Sequence, residues 1–157
     1  MQRLNLRSLS AAFVLLFAAA TWAGSGNAKP TPIRASDIAT AVRSYVGEVQ
    51  NADGFTRIND PVENATLDLR LTDVYAQKVM KVRSDVFLTC AFFEAPDGTA
   101  YDVDFYVKGT TPKNLKVVDT TIHAKNKLQR YAWAEEKGLM KVKAISSELP
   151  MREELAH

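Results

Sequence analysis

Residues 101–108 read YDVDFYVK, and apolar and polar side chains alternate more clearly here than anywhere else in the chain. Side chains two residues apart share one face of a strand, so this pattern predicts a strand with one buried face and one polar face. The apolar face carries Tyr101, Val103, Phe105 and Val107, and the polar face carries Asp102, Asp104 and Tyr106. A strand of this kind is typical of an antiparallel sheet that is covered on one side.

Segments on both sides of this strand continue the period of two. We predict strands at Leu67–Leu71, Val86–Glu94, Leu115–Ala124 and Leu128–Trp133, with a bulged stretch within 73–83. Turn formers separate these segments at residues 84–85, 95–98, 109–114 and 126. Short connections between consecutive strands indicate an antiparallel meander.

A helical period precedes the strands. Its apolar residues recur at helical spacing and are Ile38, Ala41, Val42, Tyr45, Val46 and Val49. We expect Ser36 to be the N-cap, Asp37 to lie in the first turn, and the helix to end within 51–54. The expected fold class is therefore α+β, with one N-terminal amphipathic helix packed on the apolar face of a mostly meander sheet.

Two stretches resemble small exported bacterial proteins of uncharacterised function. They are FLTCAFFEAPDGTAYDVDFYVKG, residues 87–109, and LKVVDTTIHAKNKLQRYAW, residues 115–133. The resemblance covers the chain from Ser36 to Trp133, and it implies bacterial export and a helix-plus-meander fold of cystatin-like form. It implies no activity and carries over no functional residue.

The start of the chain has the three zones of a secretory signal peptide. Arg3 and Arg7 form a basic start, residues 11–20 are apolar, and small residues follow. The apolar run is shorter than the roughly 20 residues of a transmembrane helix, so we expect cleavage rather than anchoring. Cleavage after Ala23 is preferred to cleavage after Ala28, and the mature protein is expected to be periplasmic or secreted, without a membrane anchor.

The remaining chain is expected to form one domain with flanking segments. Residues 24–35 are predicted to be a linker, residues 36–137 a single α+β domain, and residues 138–157 a weakly structured or helical tail. Loss of residues 1–23 removes two arginines and no acidic residue, so the formal charge falls from +2 to zero. Balanced charge without a basic block argues against nucleic acid and anionic membrane as partners.

The polar face of the central strand is the candidate binding surface. A symmetric loop after Lys108 would place Asp102 opposite His123, with Arg130 beside His123 on the next strand. The expected surface consists of Asp102, Asp104, Tyr106, Asp119, His123 and Arg130. An alternative hypothesis makes Asp102, Asp104 and His123 metal ligands.

Cys90 is the only cysteine, so no intramolecular disulfide is possible. We expect a four-residue loop at 95–98, which places Cys90 in the core with Phe105, where a thiol is unreactive. A three-residue loop would move it to the polar face instead, where it could act with His123. Tyr131 and Trp133 are expected on the core side.

No phosphate-binding glycine loop, calcium loop, paired-cysteine zinc motif or nucleophile elbow occurs in the sequence. The preferred hypothesis is therefore an exported, non-enzymatic binding or accessory protein of the bacterial envelope that uses no cofactor. Its partner would be a protein or a small molecule of unknown identity. The alternatives are a small thiol-dependent or hydrolytic enzyme using Cys90 and His123, and the metal-binding protein described above.

Overall fold

The structure is a computed structural model that describes residues 31–144. The predicted signal peptide, most of the predicted linker and residues 145–157 lie outside the described residues. Within them, one helix precedes nine strands. The elements are α1 (Ala35–Val49), β1 (Thr56–Asp60), β2 (Ala65–Val74), β3 (Met80–Arg83), β4 (Val86–Glu94), β5 (Ala100–Lys108), β6 (Lys116–Lys125), β7 (Leu128–Gln129), β8 (Tyr131–Glu136) and β9 (Leu139–Ala144).

The main sheet is antiparallel and runs in the order β1-β2-β4-β5-β6-β7. β3 also pairs with β4, and β8 and β9 form a separate two-stranded hairpin. Within the predicted bulged stretch 73–83, the strand is interrupted between β2 and β3, and the pairing of β3 with β4 shifts register between Lys81 and Arg83. A further register shift, between Leu71 and Asp73, precedes that stretch. The sheet curls into a half-barrel, which brings β1 close to β6 although the two strands are not neighbours in the sheet.

The inner face of the curl, the side that faces α1, holds the main hydrophobic core. Ile38, Val42 and Val46 of α1 are buried against the sheet. From β5 they meet the alternating residues Val103, Phe105 and Val107, none of which is exposed to solvent. The expected α+β class, with one helix on an antiparallel sheet, is confirmed. Within residues 31–144, no helix is long and apolar enough to cross a membrane.

The helix begins two residues earlier than predicted. Arg34 occupies the N-cap position, and the Asp37 carboxylate accepts its backbone N–H at 2.8 Å and its guanidinium at 3.1 Å. Ser36 lies inside the first turn, where its carbonyl accepts a hydrogen bond from the Thr40 hydroxyl. The predicted Ser36 cap is wrong because the charged Arg34–Asp37 pair closes the helix start instead.

The turn between β4 and β5 decides which side chains face outward. The Ala95 N–H donates to the Thr99 carbonyl at 2.9 Å, so the loop contains only Pro96, Asp97 and Gly98. Gly98 has φ +82°, the left-handed conformation that a three-residue hairpin loop requires. The predicted four-residue loop is therefore wrong, and so is the core position of Cys90. Its strand is shifted by one residue, which places Cys90 on the outer face, the side of the sheet away from α1.

Two bulges modify the pairing of β5 with β6. The pairs Val103 with Ile122, Asp104 with Thr121 and Phe105 with Thr120 follow the register that a symmetric loop after Lys108 predicts. The same register predicts Val107 opposite Val118, which is wrong because the second bulge pairs Val107 with Val117. Asp102, however, pairs with Ala124. The predicted pairing of Asp102 with His123 is wrong because His123 is the extra residue of a bulge.

The β8–β9 hairpin covers part of the outer face. The chain bends at Arg130, and the hairpin turns at Lys137 and Gly138, which both have positive φ. Trp133 and Met140 pack against a second apolar cluster of Val86, Leu88 and Tyr106. The core-side prediction for Tyr131 and Trp133 is wrong because β8 leaves the main sheet. Residues 139–144 of the expected weakly structured tail form strand β9.

A buried ion pair joins the two ends of the curled sheet. Arg130 binds Asp60 through two hydrogen bonds of 2.6 and 2.8 Å, and the Asp60 side chain has no exposed surface. Glu63, in the turn between β1 and β2, receives a further bond from Arg130 and two from Lys125. Burial alone would raise the pKa of Asp60, but the hydrogen bonds and charge of Arg130 outweigh it and lower that pKa.

We expect Arg130→Met to destabilise the protein by about 3–5 kcal/mol, because it leaves the Asp60 carboxylate buried without its partner. Urea denaturation measures the change. Lys108→Met is the matched control: Lys108 pairs with Asp85 at 3.6 Å on the surface, and such pairs contribute about 0–1 kcal/mol. Equal losses of stability in the two variants would show that the ion pair between Arg130 and Asp60 does not hold the two ends of the sheet together.

The same pair predicts how stability depends on pH. The pKa of Asp60 is lower in the folded protein than in the unfolded chain, so its contribution is complete above the unfolded value of about 3.9. That contribution is lost as pH falls through the folded pKa. Urea titrations from pH 7 downward should show a loss of stability below about pH 4 that Asp60→Asn reduces. An identical acid limb in Asp60→Asn would contradict this assignment.

Candidate functional site

Three side chains that can bind metals or transfer protons meet on the outer face. The Cys90 thiol donates a hydrogen bond to Asp104 Oδ1 at 3.1 Å. His123 Nδ1 lies 3.6 Å from the same oxygen and 3.9 Å from Cys90 Sγ. We call Cys90, Asp104 and His123 the outer-face cluster.

The strand register explains why these three residues meet. Cys90 and Asp104 are direct partners across β4 and β5, so their side chains share one face. His123 lies on β6 at the bulge between Ile122 and Ala124. Bulges change the direction in which a side chain projects, and they recur beside functional sites. Each of three adjacent strands therefore contributes one member to the outer-face cluster.

Asp104 is 1% exposed, and donors surround its carboxylate. Its Oδ2 accepts the Tyr131 hydroxyl at 2.8 Å and Trp133 Nε1–H at 2.7 Å, while its Oδ1 accepts the Cys90 thiol. A buried carboxylate is costly unless such bonds replace its hydration. The β8–β9 hairpin therefore provides both an apolar cover and two of the donors that Asp104 requires.

The orientation of His123 is fixed from the side opposite to the cluster. Its Nε2 lies 3.1 Å from the Tyr131 carbonyl oxygen, which can only accept, so Nε2 carries a proton. The imidazole also stacks on the Tyr131 ring, with centroids 4.9 Å apart and planes 15° from parallel. In the neutral imidazole, the lone pair of Nδ1 then points toward Cys90 and Asp104.

The negative charge of Asp104 affects the protonation of its neighbours. Burial, reinforced by this charge, raises the pKa of the Cys90 thiol far above its ordinary value. The same two causes raise the pKa of Tyr131. For His123, burial opposes the charged form, but the interaction with Asp104 outweighs it and raises the pKa. In the structure described, Cys90 and Tyr131 are therefore neutral donors.

The other residues of the expected polar surface do not join this cluster. Arg130 turns away toward Asp60, although its backbone N–H donates to the His123 carbonyl. Tyr106 is buried beside Trp133, their ring centroids 6.3 Å apart. Asp102 is half-buried outside the cluster, although its charge contributes to the raised pKa values of Cys90 and His123. Asp119 is half-buried opposite Tyr106, and its carboxylate accepts the Thr120 N–H.

Sequence reasoning missed Tyr131 and Trp133 as site residues. One sequence feature predicts a separate hairpin here: the alternating run Tyr131-Ala132-Trp133 is followed at Lys137-Gly138 by a two-residue turn of hairpin type. A hairpin there separates residues 131–144 from the main sheet and allows them to fold over it.

Comparison with known proteins gave no match to any family model, curated protein or solved structure.

We expect Tyr131→Phe to lower the free energy of unfolding by about 1–3 kcal/mol, because Asp104 Oδ2 loses a buried donor while the ring is kept. Tyr45→Phe is the matched control, since it removes a hydroxyl from a tyrosine whose ring packs on Phe105 at the inner face. Urea denaturation compares the two. A loss no larger than that of the control would show that Asp104 does not depend on the hairpin.

Proposed function

We propose that the chain is an exported, non-enzymatic binding or accessory protein of the bacterial envelope, periplasmic or secreted. The basic, apolar and small-residue zones of residues 1–23 support export. We also propose a cystatin-like form, which is supported by the helix lying against the inner face of a curled antiparallel sheet.

The hydrogen bond from Cys90 to Asp104 carries the non-enzymatic part of the proposal. A nucleophilic cysteine needs a positively charged or hydrogen-bond-donating neighbour that stabilises the thiolate. Here the nearest charged atom is a carboxylate oxygen at 3.1 Å, closer than the imidazole nitrogen at 3.9 Å. A negative neighbour holds the proton on sulfur. The arrangement therefore suits a site that binds a ligand better than one that attacks a substrate.

One observation favours a second candidate, a small thiol-dependent or hydrolytic enzyme. Cys90 and His123 lie on the same face, with Sγ and Nδ1 3.9 Å apart. An imidazole base could take the thiol proton only if the bond from Cys90 to Asp104 were broken first. The two candidates therefore differ in the expected reactivity of Cys90.

In the native protein, we expect iodoacetamide to label Cys90 at least about tenfold more slowly at pH 8 than in the denatured protein. Each pKa unit above the ordinary value removes about nine-tenths of the thiolate. Intact mass measured over time gives both rates. Asp104→Asn, checked for native circular dichroism, should label faster, because the negative neighbour is gone and the hairpin that covers the outer face loses its charged acceptor. Native labelling as fast as denatured labelling would support the thiol enzyme instead.

Export is tested separately by the mass of the processed protein. When the full chain is expressed in a Gram-negative bacterium, we expect a mature form that begins at Gly24 in the periplasm or the medium. Replacing Ala23 by a bulky residue such as Phe should block this cleavage or move it to follow Ala28, whereas Ser at the same position should not. Recovery of only the uncleaved chain in the inner membrane would contradict export.

A further inference from the structure

The outer-face cluster has the ligand types and spacing of a metal site. Its three ligand atoms, Sγ of Cys90, Oδ1 of Asp104 and Nδ1 of His123, all lie within 4.8 Å of one another. The individual separations are 3.1, 3.6 and 3.9 Å. Ligand atoms around a tetrahedral zinc ion, at about 2.0–2.3 Å from the metal, lie about 3.3–3.6 Å apart. Shifts of a few tenths of an ångström would therefore complete the geometry.

Hydrogen bonds outside the three ligand atoms fix the ligands in the required orientation. The Tyr131 carbonyl faces His123 Nε2 at 3.1 Å, which directs Nδ1 toward the cluster. Tyr131 and Trp133 both bond Asp104 Oδ2, which leaves Oδ1 as the oxygen facing Cys90 and His123. Metal-binding histidines and carboxylates are held in this way by neighbouring groups, which set the tautomer and the ring orientation.

We infer that Cys90 Sγ, Asp104 Oδ1 and His123 Nδ1 bind one zinc-type divalent cation. Thiolate and imidazole ligands favour zinc and similar first-row metals over magnesium and calcium. This inference rests on the proposed binding function and names the class of ligand. The predicted ligand set of Asp102, Asp104 and His123 is replaced, because the β4–β5 register places Cys90 beside Asp104.

The charges and protons of the proposed binding step balance. The hydrogen bond between Sγ and Oδ1 is broken and the metal takes its place. The thiol proton is released to solvent, together with the Nδ1 proton wherever His123 is protonated. The thiolate and the carboxylate then carry two negative charges, which the divalent cation neutralises in a site where Asp104 is 1% exposed. Three protein ligands leave a fourth position of the tetrahedron for a group from outside the cluster.

Titration of the mature, chelator-treated protein with Zn²⁺ alone and with Co²⁺ alone tests the inference. We expect one saturable site in calorimetry, proton release on binding, and a thiolate-to-cobalt charge-transfer band. Because Cys90 is the only cysteine, that band by itself identifies the ligand even if a variant fails to fold. Cys90→Ser should abolish the band, and Cys90→Ser and His123→Gln should each weaken zinc binding more than about 100-fold, beyond what loss of an outer hydrogen bond costs.

Two further variants distinguish this ligand set from zinc binding elsewhere on the protein surface. Trp133→Phe removes a donor to Asp104 and should weaken zinc binding by about 10–100-fold while keeping the charge-transfer band. Asp102→Asn should keep both the stoichiometry and the band, since Asp102 lies outside the cluster. Lack of saturation up to about 1 mM Zn²⁺, or zinc binding that Cys90→Ser and His123→Gln leave unchanged, would overturn the inference.

Failure of this inference is distinguishable from failure of the proposed function. A protein that is exported and slow to label, but that does not bind zinc, refutes the metal site alone. A protein that binds zinc through Cys90, but that stays uncleaved in the membrane, refutes export alone.

Discussion

The Asp104 carboxylate lies where almost no water reaches it, and its hydration must be replaced by protein donors. Those donors come from two parts of the chain. Cys90 approaches from the neighbouring strand, whereas Tyr131 and Trp133 approach from a hairpin that is not part of the main sheet. The hairpin packs on the small apolar cluster around Leu88, and the polar contacts at Asp104 add to this packing. The arrangement of the outer face depends on this single buried charge.

The protein buries a second carboxylate, Asp60, whose surroundings differ from those of Asp104 and support a structural role instead of the proposed binding role. Asp60 is paired through both oxygens with the guanidinium of Arg130, a fully charged partner that joins the two ends of the curl. At Asp104, by contrast, only Oδ2 is bound by the hairpin donors. Oδ1 faces a thiol and an imidazole, two groups that can exchange a proton for a metal. Both oxygens of Asp60 are paired with Arg130, whereas Oδ1 of Asp104 faces the two other ligands of the proposed metal site.

Much of the fold followed from periodicity, because the inner face is apolar and regular. The helix and the strands β4, β5 and β6 were predicted from spacing alone, since burial against α1 imposes that spacing. The face of the sheet on which Cys90 lies was not predicted correctly, because it depends on whether the β4–β5 loop has an odd or an even number of residues. The left-handed conformation of Gly98 makes the loop three residues long and shifts a whole strand by one position.

The bulge at His123 could not be predicted from the sequence either, because a bulge depends on the pairing of two strands rather than on the composition of one. Two strands escaped prediction for other reasons. The strand β1 is short, and β9 has only six residues, Leu139–Ala144, in a segment rich in charge. The placement of Tyr131 and Trp133 depends on tertiary packing: once the chain bends at Arg130, alternation no longer tells which sheet face a residue meets. The sequence alone therefore did not place Tyr131 and Trp133 beside Asp104.

On this account, Asp104 holds the β8–β9 hairpin on the sheet and so assembles the outer face. Amide hydrogen exchange in wild type and Asp104→Asn, followed residue by residue in NMR spectra, tests this most directly. We predict much faster exchange throughout β8 and β9 in the variant, with little change in β4, β5 and α1, whose protection depends on the inner core. Hairpin protection that is unchanged in a folded Asp104→Asn variant would contradict it.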